Sequence, residues 1–348
     1  LVVNSMYLQT PYSRIGMEEV ALRFTSLDDF DMFEENVRLQ ARVLPSKIDF
    51  RDICFFSSYL RGLNESILIR GDFRGTIATL RGKNILLKIR EHTRLYCDFS
   101  IDGLPDAENA FWHFDFHHLY TDMAELSRLP VPPFSGNNTL TLPSSALKLG
   151  KVHYKGKFSG FLTDFVAFGS FNTDQGDLGS DVSLKQSDDG KHMILKGRLW
   201  SQSITAGELA GLPGEIGNAG FSVTADGIIQ NDGTYRMNLK GDVSHLQYRK
   251  YEYSNLVLNG VVTDKTFDGE LHADDPNVKL DFFGTVDFSE KIPVYDFRCS
   301  LQECYFTRLH LFGKDSMARL SVEINARLTG DEPDNINGQI TKIGRAHV

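Results

Sequence analysis

The sequence has no run of about 18 apolar residues, so no segment reads as a helix that crosses a bilayer. No secretory signal pattern stands at its start. The chain opens on Leu1 rather than Met and enters a strand-like pattern at once, so the natural N-terminus is expected upstream. Basic stripes are also missing. With 37 Lys and Arg against 46 Asp and Glu, the net charge is −9. That argues against nucleic acid as a partner, because phosphates need clustered cations, and no Lys/Arg run suggests a surface for anionic headgroups. The four cysteines, Cys54, Cys97, Cys299 and Cys304, form no CxxC pair. They read as buried thiols, with a Cys299–Cys304 disulfide as the alternative, which leaves the redox compartment open.

Catalytic signatures are lacking as well. There is no GxSxG elbow and no HExxH. The glycines between Gly207 and Gly220 follow neither phosphate-loop spacing. Carboxylate pairs such as Asp28-Asp29 and Asp188-Asp189 fall in turns or caps, where solvated acids are expected. The expectation is a protein that is not an enzyme, with no catalytic residues and no cofactor.

What is present is alternation. Hydrophobic residues make up 41% of the chain and charged residues 24%, enough to bury apolar surface and too few charges for disorder. Phe, with 25 copies, leads the aromatics, and it fits a pleated sheet better than a helix. Val278, Leu280, Phe282, Gly284, Val286 and Phe288 share one parity, as do Val322, Ile324, Ala326 and Leu328. Ile67-Ile69-Gly71-Phe73, Ile85-Leu87-Ile89, Leu95-Cys97-Phe99 and Tyr154-Gly156-Phe158-Gly160-Leu162 repeat the pattern. Such strands have one greasy and one wet face. Asp189-Gly190 and Asp232-Gly233 read as hairpin turns, while Asp102-Gly103, Asp226-Gly227 and Asp268-Gly269 add turn or bulge candidates. Strand starts every 10 to 12 residues predict roughly 30 strands.

Helical signals are short: residues 26–35, and 121–129 with Thr121 as N-cap. Residues 208–216 carry Pro213 and Gly214 and read as a compact loop. A Pro/Ser/Asn-rich joint at 131–150 separates an upstream strand segment, 1–130, from a downstream one, 151–342. Residues 343–348 match one frame of a common sequencing adapter and read as a scar. A Gly followed two residues later by an apolar residue recurs at Gly71, Gly156, Gly160, Gly169, Gly197, Gly241, Gly260 and Gly284. That is a degenerate repeat of a unit that stacks on its neighbours.

Several motifs in order carry a resemblance. Pro45-Ser46-Lys47-Ile48-Asp49-Phe50-Arg51-Asp52 and Gly103-Leu104-Pro105-Asp106 stand upstream of Tyr154-Lys155-Gly156-Lys157-Phe158-Ser159-Gly160-Phe161. The run Thr173-Asp174-Gln175-Gly176-Asp177-Leu178-Gly179-Ser180-Asp181 follows. Asp275-Pro276-Asn277 then leads into Leu280-Asp281-Phe282-Phe283-Gly284-Thr285-Val286-Asp287-Phe288. From about residue 20 to 342 the chain resembles the TamB branch of the AsmA-like envelope proteins of Gram-negative bacteria. The resemblance implies an all-β fold, a long, strongly curved, antiparallel-rich sheet rolled into an elongated groove, with a few helical turns. It implies a periplasmic location, with an inner-membrane anchor helix outside this chain. The implied function is phospholipid transport between the two membranes, outer-membrane protein assembly, or both. The implied partners are phospholipid acyl chains and, through regions outside this chain, assembly machinery of the BamA/TamA type.

On that reading the lipid-facing residues are Phe73, Leu87, Phe99, Phe158, Leu162, Val278, Leu280, Phe282, Val286, Phe288, Val322 and Ile324. The alternative is a carbohydrate-binding or structural β-solenoid with a closed core. No metal site is expected. His113 and His117 share a strand face with Asp115, opposite Trp112, Phe114 and Phe116, as wet-face residues do. Asp274-Asp275-Pro276-Asn277 reads as a turn, lacking the spacing and terminal Glu of a calcium loop.

Overall fold

The computed structural model describes residues 1–54, 60–131, 134–136, 138–142, 144–305, 308–309, 319–330, 335–343 and 346–347. The chain divides into two compact units, Leu1–Asp174 and Gln175–Val348. The first unit holds β1 (Val2–Gln9), β2 (Arg14–Arg23), β3 (Arg38–Asp49), β4 (Ser66–Gly75), β5 (Thr79–Ile89), β6 (Thr93–Asp102), β7 (Phe111–Asp122), β8 (Lys151–Phe161) and β9 (Asp164–Thr173). The second holds β10 (Gly176–Gln186), β11 (His192–Thr205), β12 (Ile216–Gln230), β13 (Tyr235–Tyr248), β14 (Tyr251–Thr263) and β15 (Thr266–Asp275). It continues with β16 (Val278–Asp287), β17 (Val294–Tyr305), β18 (Arg319–Thr329), β19 (Asn337–Ile343) and β20 (Ala346–His347).

Within each unit, strands pair antiparallel with their chain neighbours, from β1 to β9 and from β10 to β19. The short β20 joins β19 on the edge of β18. The protein is all-β, with antiparallel meanders and only short helical turns. The strands number 20 among the described residues, fewer than their expected spacing implies, because some are long: β12 runs for 15 residues. Asp226-Gly227 and Asp268-Gly269, expected at turns or bulges, sit in regular register inside β12 and β15. Their aspartates point to the wet face, where Asp226 pairs with Lys196 at 3.5 Å and Asp268 accepts from the Thr285 hydroxyl at 3.1 Å. The hairpins at Gly190 and Gly233 do form, with φ of 68° and 87°, the left-handed backbone that suits glycine.

Two strands keep one face through an inserted residue. In β5 the register slips between Gly82 and Ile85, and in β17 between Leu301 and Cys304. Each slip contains a non-glycine residue at φ 53°, Asn84 and Glu303 respectively. The insertion returns the next apolar side chain to the face it would otherwise leave. Asp98 steadies the first of these bulges, its Oδ1 accepting from the Asn84 amide at 2.7 Å.

The helical turns differ in detail from their expected places. Residues 26–35 fold as a 3-10 turn, Leu27–Met32, followed by Phe33–Asn36. The helix Met123–Leu126 is capped by Asp122 rather than Thr121, since the Asp122 carboxylate accepts from the amides of Ala124 and Glu125. Thr121 faces inward and bonds the Thr93 hydroxyl at 2.9 Å. Where a loop was expected, Ala206–Ala210 is a short helix ended by left-handed Gly211, upstream of Pro213. The 131–150 stretch lies inside the first unit. Its Leu142, Ala146 and Leu149 pack on Met123, Val152 and Tyr154, so it covers one end of the sheet.

Buried carboxylates tie strand ends to these connectors. Asp49 is 1% exposed, takes two 2.7 Å bonds from Arg51 and one of 2.7 Å from Ser66 Oγ, and caps the turn Phe50–Ile53. The Arg51 hydrogen bonds hold its carboxyl well below the usual carboxylate range, against the opposing effect of burial. Asp275 is also buried; burial alone would raise its pKa, but donors from Tyr251, Asn277 and Ser254 outweigh that and lower it. A carboxyl with a lowered folded-state pKa stabilises fully above its ordinary value and loses that contribution as pH falls toward the folded value. Asp49→Asn is therefore expected to destabilise by about 1–3 kcal/mol at pH 7. In urea unfolding, the gap to the unsubstituted protein should shrink as pH falls below 3.8. A gap that widens on acidification would contradict the assignment.

Candidate functional site

Register assembles the alternating residues into rows that run across the strands. In the second unit one row reads Val182, Gly197, Ala225, Leu239, Gly260, Gly269, Gly284, Phe297, Ala326 and Ile340, each directly opposite the next. It gathers three of the recurrent glycines, Gly197, Gly260 and Gly284, onto one line. The row on one side carries Leu258, Leu271, Phe282, Cys299 and Ile324. The row on the other carries Val262, Phe267, Val286, Tyr295 and Leu328. Three consecutive glycines of the row, Gly260, Gly269 and Gly284, thus lie between two lines of large side chains.

Large side chains lean into that line. Phe267 and Phe282, from opposite sides of it, have ring centroids 6.1 Å apart, and Phe282 and Phe297 are 5.4 Å apart with planes 29° apart. The first unit has an equivalent row of Val20, Ala41, Phe73, Gly82, Phe99, Phe114, Phe158 and Ala167. A Cβ added at Gly82 would fall inside the Phe99 ring, so that ring covers the glycine of the next strand. Centroids step from Phe73 to Phe99 at 6.2 Å and from Phe99 to Phe114 at 5.7 Å. The rings of the row contact one another from strand to strand.

Among the described residues no Phe is buried, and Tyr154, at 7% exposed, is the one buried aromatic. A sandwich core would bury its aromatics against a facing sheet. The two clusters of buried residues sit around Met123, Val152 and Tyr154 in one unit and Val278, Cys304 and Leu309 in the other.

The expected lipid-facing residues separate accordingly. Phe73, Phe99, Phe158 and Leu87 share the apolar face of the first unit, Leu87 in the row of Ile69, Leu95, Leu119 and Tyr154. Leu280, Phe282, Val286 and Ile324 share that of the second and are half-buried. Val278 and Val322 lie on this face but are covered, at 4% exposed each. Leu162 is placed in the turn between β8 and β9, and Phe288 follows the end of β16; both are exposed, off the rows. Parity alone extends a strand past its last paired residue, which explains both placements. Phe114, Trp112 and Phe267 belong to the face and were not among the expected site residues, although the alternation of 112–116 carries the signal.

The polar candidates are occupied locally. His113 Nδ1 lies 2.6 Å from Ser159 Oγ, His117 Nε2 lies 3.8 Å from Asp98, and His118 Nδ1 lies 3.0 Å from His153 Nε2. Among the described residues no three His, Cys, Asp or Glu side chains converge as metal ligands. All four cysteines are free thiols. Burial pushes Cys97 up to about 12 and Cys304 to about 11, so both stay protonated and unreactive at neutral pH. No family model, curated protein or solved structure matches the chain.

The glycine line is sterically required. Gly284 has φ 149°, and a Cβ there would press on backbone atoms of Asp296 and Phe297, which cannot rotate away. Gly284→Ala is expected to lower stability by about 1–3 kcal/mol. Gly214→Ala, in open space, should change it by less than about 0.5 kcal/mol. Equal denaturation midpoints for the two variants would refute the packing argument.

Proposed function

We propose that the apolar sheet face of this protein is a bed for lipid acyl chains, as in the AsmA-like envelope proteins it resembles. The observation that carries the reading is the half-buried apolar face itself. Its aromatic rings contact one another from strand to strand, and no Phe among the described residues is buried. A closed-core solenoid, structural or carbohydrate-binding, would bury such rings.

The energetics favour such a bed. Each methylene taken from water is worth about 0.8 kcal/mol, so a sixteen-carbon chain stands to gain up to roughly 13 kcal/mol. Contact on one side only realises a fraction of that. Ten paired positions at about 4.8 Å spacing span roughly 43 Å, longer than an extended chain of that length. Neighbouring positions along a row differ little in chemistry, so a bound chain meets only low barriers to sliding. In this reading the protein works in the periplasm, held to the inner membrane by a segment outside this chain. It shields lipid crossing the aqueous gap and hands it to outer-membrane assembly machinery. No bond chemistry is required.

The face-specific test uses photocrosslinking side chains in cells. At Phe99, Phe282 and Ile324 they should capture phospholipid, whereas at Asp281 and Glu323, on the opposite face, they should not. Equal labelling of both faces, or none on either, would sink the reading. Phe282→Arg should abolish capture at Ile324 while the purified protein keeps its strand signal in circular dichroism.

A further inference from the structure

The polar face of the first unit departs from what a solvated sheet needs. In the second unit, directly opposed charges on that face carry opposite sign: Asp181 faces Arg198, Lys196 faces Asp226, Asp274 faces Lys279 and Asp296 faces Arg327. In the first unit four cation pairs stand directly opposed, Arg14–Lys47, Arg23–Arg38, Arg74–Arg81 and Lys88–Arg94, as does the acid pair Asp98–Asp115. Like charges in such pairs destabilise a sheet. Among the described residues Arg14, Lys47, Lys88 and Arg94 have no carboxylate within ion-pair distance, whereas Arg42, Arg81 and Lys157 on the same face are each paired.

Two of these pairs, Arg14–Lys47 and Lys88–Arg94, line one cleft of about 1170 Å³, together with Arg70 and Lys151. Its floor is not polar. Leu68 is 50% exposed and Tyr120 48% exposed there, with Leu86 and Tyr96 beside them. Tyr120 stacks on His153 at 4.2 Å with planes 7° apart, which fixes the ring as a flat wall. The acids at the cleft, Glu91 and Asp174, do not separate either pair; Asp174 is engaged by the Lys151 amide at 2.9 Å. Arg14, Lys47, Arg70, Lys88, Arg94 and Lys151, none ion-paired among the described residues, surround Leu68, Leu86, Tyr96 and Tyr120, which suits a ligand with an anionic group and a greasy body. A cleft of this size suits a whole small molecule rather than a flat bilayer.

We propose that this cleft binds a single phosphate-bearing amphiphile, its phosphate between the Arg14–Lys47 and Lys88–Arg94 pairs and its apolar part on Leu68, Leu86 and Tyr120. The site lies across the backbone from the acyl-chain bed and stands or falls independently of it. Binding replaces cation–cation repulsion with cation–phosphate attraction, so the ligand relieves a defect that the empty sheet carries.

The experiment titrates the full chain with lysophosphatidic acid below its micellar concentration. Lysophosphatidylcholine of the same chain length and inorganic phosphate are the comparators. Lysophosphatidic acid should bind at least tenfold more tightly than either, and the affinity should fall as salt rises. Lys88→Glu should weaken it at least tenfold, while raising the ligand-free melting temperature by about 2 °C, since the introduced carboxylate would then oppose Arg94. Leu68→Ser should weaken lysophosphatidic acid and leave inorganic phosphate unchanged. Inorganic phosphate binding as tightly as the amphiphile would overturn the ligand class. Undiminished binding by Lys88→Glu, or equal binding of lysophosphatidylcholine, would overturn the site.

Discussion

Cross-strand register is the constraint on which the rest of this protein depends. Side chains in a strand alternate with a period of two, so a slip of one residue moves every apolar group to the wrong face. The Gly197-to-Phe297 row exists only because consecutive pairings hold true from β11 to β17. Where β5 and β17 gain a residue, at Asn84 and Glu303, the added residue takes a left-handed backbone and the alternation resumes on the same side. Both positions carry the strain that this conformation imposes on a residue with a Cβ. The gain is an unbroken face.

A face of that kind changes where stability comes from. Without a facing sheet, burial of large side chains is only partial, and the usual contribution of a closed core is reduced. Compensation comes from close packing within the layer: rings over neighbouring glycines, as with Phe99 over Gly82, and tight approach of backbones, as between Gly260 and Gly269. It also comes from the strand ends. There Asp49, Asp275 and Glu125 each collect donors from other segments, Glu125 from the amides of Glu91 and His92 and the hydroxyl of Thr93. The short helical turns serve the same ends, packing where strands stop.

Much of this was legible in the sequence because period-two alternation is a local signal. Phe73, Phe99, Phe158, Phe282 and Ile324 could be assigned to one kind of face from parity alone. The failures mark where local signals stop. Asp226-Gly227 has the composition of a turn, and only the pairing across β11, β12 and β13 shows that it lies inside a strand. Leu162 and Phe288 keep the parity of their strands beyond the last hydrogen-bonded pair, where parity no longer means facing. Val278 has the right parity, and Leu309 and Cys304 cover it through a contact that no spacing rule contains. The basic cleft was invisible for the same reason: Arg14, Lys47, Lys88 and Arg94 stand on four different strands and never form a run.

The two faces of the first unit therefore pose different selection problems to one backbone. On the apolar face, any side chain that lies flat and greasy serves, which is why Phe, Ala and Gly interchange along the row from Val20 to Ala167. On the polar face almost any hydrophilic residue would keep the sheet soluble, and mixed signs would keep it more stable, as in the second unit. Like charges persist there against the sheet's own interest, while Arg42, on the same face, is neutralised by Glu18 and Asp72. A sheet is a single backbone layer, so a molecule resting on the phenylalanine row has no path to those cations except around an edge. On the two proposed readings the occupants are for that reason separate molecules, and a defect in one face should leave binding at the other intact.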